Sequence, residues 1–340
     1  MRFAFTSEQR QLQQATREVL AKECTPALVR AAWTNESGRI PGLWAKLAEQ
    51  GIVGLTVPEA HGGMGLSELD LVLILEETGR AALPEPIVET TAVAGPLLAE
   101  LGRTEELESI ATGKLSVSVG LDWSPFIVGA HAVDRLIVTR GDEIQLIHSS
   151  LAKLNAQPSV DGSRRLFKVD WKRDVQLATG PRAQEALHAA CDRGALGTSA
   201  QLLGVARQLI DVTVAYTKVR EQFGKPIGSF QAVKHHLANA LVKLEFARPL
   251  VYRAAYSMSQ RDPDRSLHVA MAKSSASDAA LLATRVALQC HGAIGYAYEH
   301  DLHLWMKRAW ALASAWGDAA WHRARVGNAI IDRNTGARHG

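Results

Sequence analysis

The chain has 340 residues, of which 47% are hydrophobic and 21% charged, a balance that supports two or three domains with a sizeable core and excludes a disordered or fibrous polypeptide. Its formal net charge is only +3, with no dense Lys/Arg run, which argues against nucleic acid as a partner. Cys24, Cys191 and Cys290 are too few and too scattered for a disulfide framework or a thiolate metal site, and no apolar run approaches the roughly 20 residues of a membrane span.

The amino end, Met1-Arg2-Phe3-Ala4-Phe5-Thr6, opens directly into a polar helical pattern without a secretory signal, so a cytoplasmic location is expected. Thr6 and Gln9 form a capping box, and apolar residues follow at helical spacing through Leu20. A second short helix is expected from Gly42 to Gln50. Ser67 caps a third, with Leu71, Leu73, Ile74 and Leu75 on its buried side before Gly79. Between these lies Gly54-Leu55-Thr56-Val57-Pro58-Glu59-Ala60-His61-Gly62-Gly63-Met64-Gly65. No βαβ pattern surrounds its glycines, so it reads as a surface turn rather than a dinucleotide loop.

From about Lys114 the texture changes. Leu115–Val119, Leu136–Thr139, Ile144–Ile147, Arg165–Val169 and Val175–Leu177 read as strands separated by polar turns, a small and mainly antiparallel β domain. It holds no nucleophile motif, paired catalytic carboxylates or ligand cluster. From about Pro181 the chain is helical again and rich in alanine. One helix is expected over Gln184–Val219, roughly 36 residues and about 54 Å long. Others span Ser229 to near Gln260 and Arg265–Cys290, and a fourth begins near Glu299. Helices this long need partners along their length, as in an antiparallel four-helix bundle. The expected fold is therefore mainly α with a small β domain. Its parts are a helical domain over 1–112, a short β domain over 113–180 and a four-helix bundle over 181–340.

Between the first two bundle helices stands Arg220-Glu221-Gln222-Phe223-Gly224-Lys225-Pro226-Ile227-Gly228-Ser229-Phe230-Gln231. Gly224 suits a left-handed position just past a helix, and Pro226 prevents that helix from continuing. Arg220 at the carboxyl end can offer paired donors to a phosphate. Helix punctuation with solvated charges is the plain alternative.

This run resembles the signature of the acyl-CoA dehydrogenase family. Two further motifs carry the likeness. Gly51-Ile52-Val53-Gly54-Leu55 with Pro58-Glu59 and Gly62–Gly65 resembles the family's segment before its third helix. Gln289-Cys290-His291-Gly292-Ala293-Ile294-Gly295-Tyr296 resembles its glutamine and glycine-rich turn after the third bundle helix. The resemblance covers nearly the whole chain and implies the same domain order. It implies FAD as cofactor, an acyl-CoA thioester as substrate, and an electron-transfer flavoprotein or similar acceptor as partner. By resemblance, Arg220, Gln222, Phe223, Gln231, Gln289 and Gly292 contact the ADP half of a flavin seated mainly in a neighbouring subunit. Ala293 replaces the second glycine of that turn, which leaves less room for backbone approach.

The chain also departs from the family. The usual catalytic glutamate falls on Trp316, and the alternative glutamate position, at the start of the first bundle helix, falls on Gly194. Indole cannot accept an α proton. The flavin-ring segments of the β domain are not recognisable either, so both losses lie on one side of the mechanism. This pattern resembles the short subunits of actinobacterial heterotetrameric (α2β2) dehydrogenases of steroid side-chain CoA thioesters, whose homologous partner carries the base. Two alternatives stay open. One is a self-sufficient homotetramer whose base is relocated to Asp192, Glu299 or Asp318. Their plain readings are a charge favouring the amino end of the first bundle helix, a residue opening the fourth, and a solvated acid. The other is a flavin-free scaffold.

On a helix at about 100° per residue, Trp305 and Trp316 share one face and Trp310 and Trp321 another, a packing role before an aromatic cage. Trp316 in that setting could also wall a sterol-sized pocket. His235 and His236 are adjacent on a helix and point about 100° apart, which disfavours a shared metal site.

Overall fold

A computed structural model describes the backbone of residues 4–336 and the side chains of residues 4–331, so the first three residues of the opening segment lie outside it. The amino-terminal part is helical: α1 Ser7–Glu23, α2 Pro26–Thr34, α3 Leu43–Glu49, α4 Glu68–Arg80, a π-helical turn over Val88–Ala94, α5 Gly95–Glu100 and α6 Thr104–Ala111. The strands are β1 Val117–Gly120, β2 Ile127–Val128, β3 Arg135–Arg140, β4 Glu143–His148, β5 Ala152–Gln157, β6 Leu166–Trp171 and β7 Val175–Thr179. Then come α7 Gly180–Val219, a hairpin of β8 Glu221–Gln222 and β9 Lys225–Pro226, α8 Gln231–Ser259, α9 Arg265–His291, α10 Leu302–Ser314 and α11 Ala319–Gly336. Mainly α with a small β domain is what the sequence predicted.

Two compact units emerge. One contains the described parts of residues 1–20, 72–82 and 195–340; the other contains residues 21–71 and 83–194. In the second unit, one sheet has the order β1-β3-β4-β7 and another β2-β6-β5. All pairings are antiparallel except β1 with β3, which run parallel from Val117 opposite Arg135. Ile127, Ala130, Val133, Leu136, Val138, Ile147 and Phe167 form a buried apolar cluster there.

In the first unit, α9 packs against α8, α10 and α11. Its alanines make this possible: Ala270, Ala272, Ala276, Ala279, Ala280, Ala283 and Ala287 are all buried, and a methyl group lets three neighbours approach one axis closely. The same logic acts where α4 meets the second half of α7. A Cβ on Gly79 would lie 2.0 Å from the Gln201 carbonyl oxygen, and one on Gly204 would lie 1.8 Å from that of Glu76. Gly79 therefore sits inside α4 as a crossing residue, not beyond its end as the sequence suggested.

Two expectations are corrected. The fourth bundle helix is two helices, α10 and α11, because the chain turns at 315–318 with Trp316 at φ +57° and Gly317 at φ +90°. The tryptophans consequently do not share faces of one helix. Trp305 is buried, with its indole N–H donating to the Arg80 carbonyl at 2.8 Å, whereas Trp310 and Trp321 are largely exposed. Asp192 is buried well inside α7 rather than standing at its amino end. The capping box does form: Thr6 N–H donates to Gln9 Oε1 at 2.9 Å, and Gln9 N–H donates back to Thr6 Oγ1 at 3.3 Å.

Candidate functional site

The Arg220–Gln231 run is more than a helix stop. Arg220 N–H donates to the Tyr216 carbonyl at 2.9 Å, closing α7, and the Arg220 carbonyl accepts from Ile227 N–H at 2.8 Å, closing the hairpin. Phe223 and Gly224, both at positive φ (+54° and +75°), make the two-residue turn between β8 and β9. Two successive positive φ values match the twist of paired strands. Gly224 accepts that conformation freely; Phe223 is a bulky residue in sparsely populated space, a strain that the surroundings must impose. Phe223 is also 92% exposed. Its ring meets Phe230 edge to face at 6.1 Å, and the Lys225 ammonium lies 4.6 Å from the Phe230 ring centre.

Arg220, Gln222 and Gln231 are exposed at this end of the bundle. Gln222 Nε2 donates to the Glu221 carbonyl at 2.7 Å. Among the described residues, the Arg220 guanidinium has no ion-pair partner.

Gln289 and Gly292 lie at the end of α9, both exposed. Gly292 takes φ +63°, ψ −140°, close to a region essentially reserved for glycine. Ala293 opens no such conformation: it sits in the short 3-10 segment Gly292–Tyr296, outside the positive-φ residues, so its methyl group fits. The two motifs converge through rings. Tyr216, one turn before Arg220, stacks on His291 with centroids 4.3 Å apart, and His300 meets His291 at 4.9 Å. Burial holds the His291 imidazole below its ordinary pKa, and its Nδ1 bonds the Ala287 carbonyl at 2.8 Å. A flat, anchored ring is what joins the ends of α7 and α9.

Trp316 lies in the same unit but in the turn between α10 and α11, half-buried. Its carbonyl accepts from His322 Nε2 at 2.9 Å, and the Gly317 carbonyl accepts from Lys273 Nζ at 3.0 Å. These two anchors had no sequence signal beyond polar residues in apolar helical stretches. Gly194 is buried within α7. Of the relocated-base candidates, Asp318 accepts from Trp321 N–H at 2.8 Å and so caps α11, Glu299 is exposed ahead of α10, and Asp192 is buried. His235 and His236 are exposed on α8.

In the β-containing unit, four hydroxyls serve the chain's own backbone and acids. Ser118 Oγ donates to the Val128 carbonyl at 2.6 Å, Ser116 Oγ to Asp134 at 2.8 Å and Ser124 Oγ to the Phe126 carbonyl at 3.2 Å. Thr139 Oγ1 accepts from Asp122 N–H at 2.8 Å. Deeper in that unit, Arg164 pairs with buried Glu89 at 3.2 Å.

Comparison with characterised proteins identifies the family and the fold. The acyl-CoA dehydrogenase N-terminal domain matches residues 6–113, and the acyl-CoA dehydrogenase C-terminal domain matches residues 185–331. The chain is 36% identical to acyl-CoA dehydrogenase IpdE2 of Mycolicibacterium smegmatis, over 92% of its own length and 95% of that protein. It is 32% identical to IpdE2 of Mycobacterium tuberculosis, over 89% and 91%. Among solved structures, one chain of the ChsE4-ChsE5 complex from Mycobacterium tuberculosis superposes with a TM-score of 0.85 at 23% identity, covering 97% of this chain and 99% of that one. A variant of the Tcur3481-Tcur3483 steroid ACAD gives 0.87 at 24% identity, covering 96% and 99%. At such identities these structures establish the fold.

Proposed function

The chain belongs to the acyl-CoA dehydrogenase family, and from that premise we propose that it is one subunit type of a heteromeric dehydrogenase. In this reading it completes the ADP-facing half of a FAD site, while a homologous partner subunit supplies the ring-facing half and the catalytic glutamate. The reaction is α,β-dehydrogenation of an acyl-CoA with a bulky, steroid-side-chain-type acyl group, and an electron-transfer flavoprotein or similar carrier reoxidises the enzyme in the cytoplasm. FAD, when bound, supplies the acceptor for the β hydride.

The observation that carries the proposal is a contrast within the chain. Arg220, Gln231 and Gln289 are exposed, and Tyr216, one turn before Arg220, stacks on His291, two residues after Gln289, a donor set suited to pyrophosphate and adenosine. By the resemblance, the family's two base positions fall on Trp316 and Gly194, and neither side chain can take a proton. The hydroxyls of Ser116, Ser118 and Ser124 are spent on internal partners. The chain's own residues would thus bind and orient: the Arg220 fork on the pyrophosphate, the exposed Phe223 ring against the adenosine, and Gln289 with the Gly292 backbone completing the polar contacts. The neighbouring fold in the ChsE4-ChsE5 complex and in a steroid ACAD supports both the partner and the substrate class.

The competing reading, a self-sufficient homotetramer, needs a base. Asp318 is the candidate nearest to Trp316 in the chain, and its carboxylate is engaged as the cap of α11. The test is to purify the chain alone and with a homologous dehydrogenase subunit that carries the glutamate, then measure mass, flavin-to-protein ratio and turnover. Flavin and activity in the complex alone are expected. Full flavin content and turnover by the isolated chain would overturn the proposal.

A further inference from the structure

Three rings meet where α7 and α9 end. Tyr216 stacks on His291, and His300 stands steeply inclined to both, 4.9 Å from the His291 ring centre at 69° and 6.3 Å from that of Tyr216 at 87°. Tyr216 lies one turn before Arg220, and His291 lies directly before Gly292 and two residues after Gln289. His300 is thus the third ring of the cluster that carries both halves of the candidate site, although it belongs to neither motif in the sequence.

Its two ring nitrogens are differently placed. Nδ1 accepts from Leu302 N–H at 3.2 Å, at the first residue of α10. A ring nitrogen that accepts carries no proton, so the proton sits on Nε2 and makes it a donor. Satisfying an orphan N–H of α10 accounts for Nδ1 and leaves the Nε2 donor without a task. Among the described residues Nε2 has no hydrogen-bond partner, and His300 is half-buried with that nitrogen open to solvent. His291 differs: it is 5% exposed, its Nδ1 is committed to the Ala287 carbonyl and its Nε2 is sealed in. His291 supports the cluster; His300 can reach a ligand. Glu299 and Asp301 flank it in the chain, and two carboxylates disfavour a phosphate against this ring. A neutral hydroxyl meets no such repulsion, and its lone pairs accept from an N–H. Between a pyrophosphate and an adenine, the group that offers hydroxyls is the ribose.

We infer that His300 is a further cofactor-binding residue, whose Nε2–H donates to a ribose hydroxyl in the adenosine half of FAD. This rests on the proposed function, in which Arg220 holds the pyrophosphate and Phe223 packs against the adenosine. The hydrogen bond makes the site selective for a ribonucleotide over its deoxy counterpart. The plainer role to be beaten is that of a ring that only caps α10 and packs on His291.

The complex with a homologous glutamate-bearing subunit serves for the test, with His300→Phe and His300→Gln. Phe keeps an aromatic ring and removes both nitrogens; the Gln amide keeps an N–H donor. ADP, 2′-deoxy-ADP and 3′-deoxy-ADP compete with FAD, and the fluorescence of released flavin reads each affinity. In the wild-type complex one deoxy nucleotide should bind about fivefold more weakly than ADP, the effect of one neutral hydrogen bond. His300→Phe should lose about fivefold for ADP and nothing for that deoxy nucleotide, so that the discrimination disappears. His300→Gln should keep part of it. An equal loss for all three nucleotides is what capping or packing alone gives, and it overturns the inference. Undiminished discrimination in His300→Phe, or a wild-type complex that treats the three nucleotides alike, overturns it too. FAD that ADP cannot displace, or that Arg220→Gln holds as tightly as the wild type, sinks the proposed function and His300 with it. Displacement by ADP with no effect of His300→Phe removes His300 alone. Should His300→Phe fail to assemble, His300→Met is the second donor-free variant and is judged by the same comparison.

Discussion

Gly204→Ala is the sharpest perturbation of the bundle, because two effects of opposite sign compete and the coordinates decide between them. Replacing a mid-helix glycine by alanine favours the helix by roughly 0.8–1 kcal/mol. Here the new methyl group would sit 1.8 Å from the Glu76 carbonyl oxygen and 2.6 Å from the Arg80 nitrogen. Both are backbone atoms of α4 and cannot rotate away. Reaching even a 3.0 Å contact, below which real Cβ atoms essentially never fall, moves the two helices apart by more than an ångström. A gap of that size forfeits about a quarter to a half of the dispersion energy between facing atoms. It also pulls on the buried hydrogen bond from Gln201 Nε2 to Thr78 Oγ1 at 3.1 Å, and orphaning those groups costs about 1–3 kcal/mol. Overpacking adds about 1–3 kcal/mol, so the net expectation is a loss of roughly 3 kcal/mol. Gly327→Ala in α11 is the control, since a Cβ there meets nothing within 4 Å; it should gain up to about 1 kcal/mol. Urea unfolding followed by far-UV circular dichroism reads both. A Gly204→Ala chain as stable as the wild type would refute the argument that the backbones are in contact.

Other consequences can be checked in parallel. Arg220→Gln should leave the urea midpoint unchanged, since the side chain is exposed, yet weaken flavin retention in the complex about 10- to 100-fold through one or two lost charge-assisted hydrogen bonds; equilibrium dialysis of FAD measures this. Burial raises the Glu85 carboxyl to about 7, against the opposing pull of Arg39 and the Ile40 N–H. The native state therefore keeps a proton that the unfolded chain releases above about 4.5, and stability falls as pH rises from 4.5 to 7, by up to about 3 kcal/mol. Glu85→Gln should abolish that slope in urea midpoints taken at pH steps. His322 slopes the other way: lowered to about 4 by burial, it makes stability fall as pH drops from 6.5 towards 4, by about 1.4 kcal/mol per unit. His322→Gln should flatten this acid limb, and an unchanged slope would show that the imidazole titrates normally.

Much of the architecture was legible because it depends on local rules. The Thr6–Gln9 capping box, the apolar face of α4 and the alanine-rich bundle helices all follow from residue type and spacing. β2 and the two-residue β8–β9 hairpin were missed, being too short to show a pattern. The alternation Ala152-Lys153-Leu154-Asn155-Ala156-Gln157 could have revealed β5, since strands alternate apolar and polar residues. The break at Trp316 left no trace, because Ala315-Trp316-Gly317-Asp318 contains no proline and one glycine is compatible with a helix. At that turn Lys273 Nζ, 39 residues upstream of Leu312, meets the Leu312 and Gly317 carbonyls, a contact with no local signal.

The sequence by itself determined the family and the order of helical part, β domain and helical bundle, and it carried the Arg220–Gln231 and Gln289–Ala293 motifs, because motifs and periodicity are properties of neighbouring residues. Tertiary structure alone decided that these two motifs share one end of the bundle through Tyr216 and His291, that Gly79 and Gly204 let α4 touch α7, and that Trp316 stands on a turn clamped by a buried lysine. Each of those facts joins groups far apart in the chain, and contact between such groups is fixed by packing and by the need to satisfy buried polar atoms, neither of which has a local spelling.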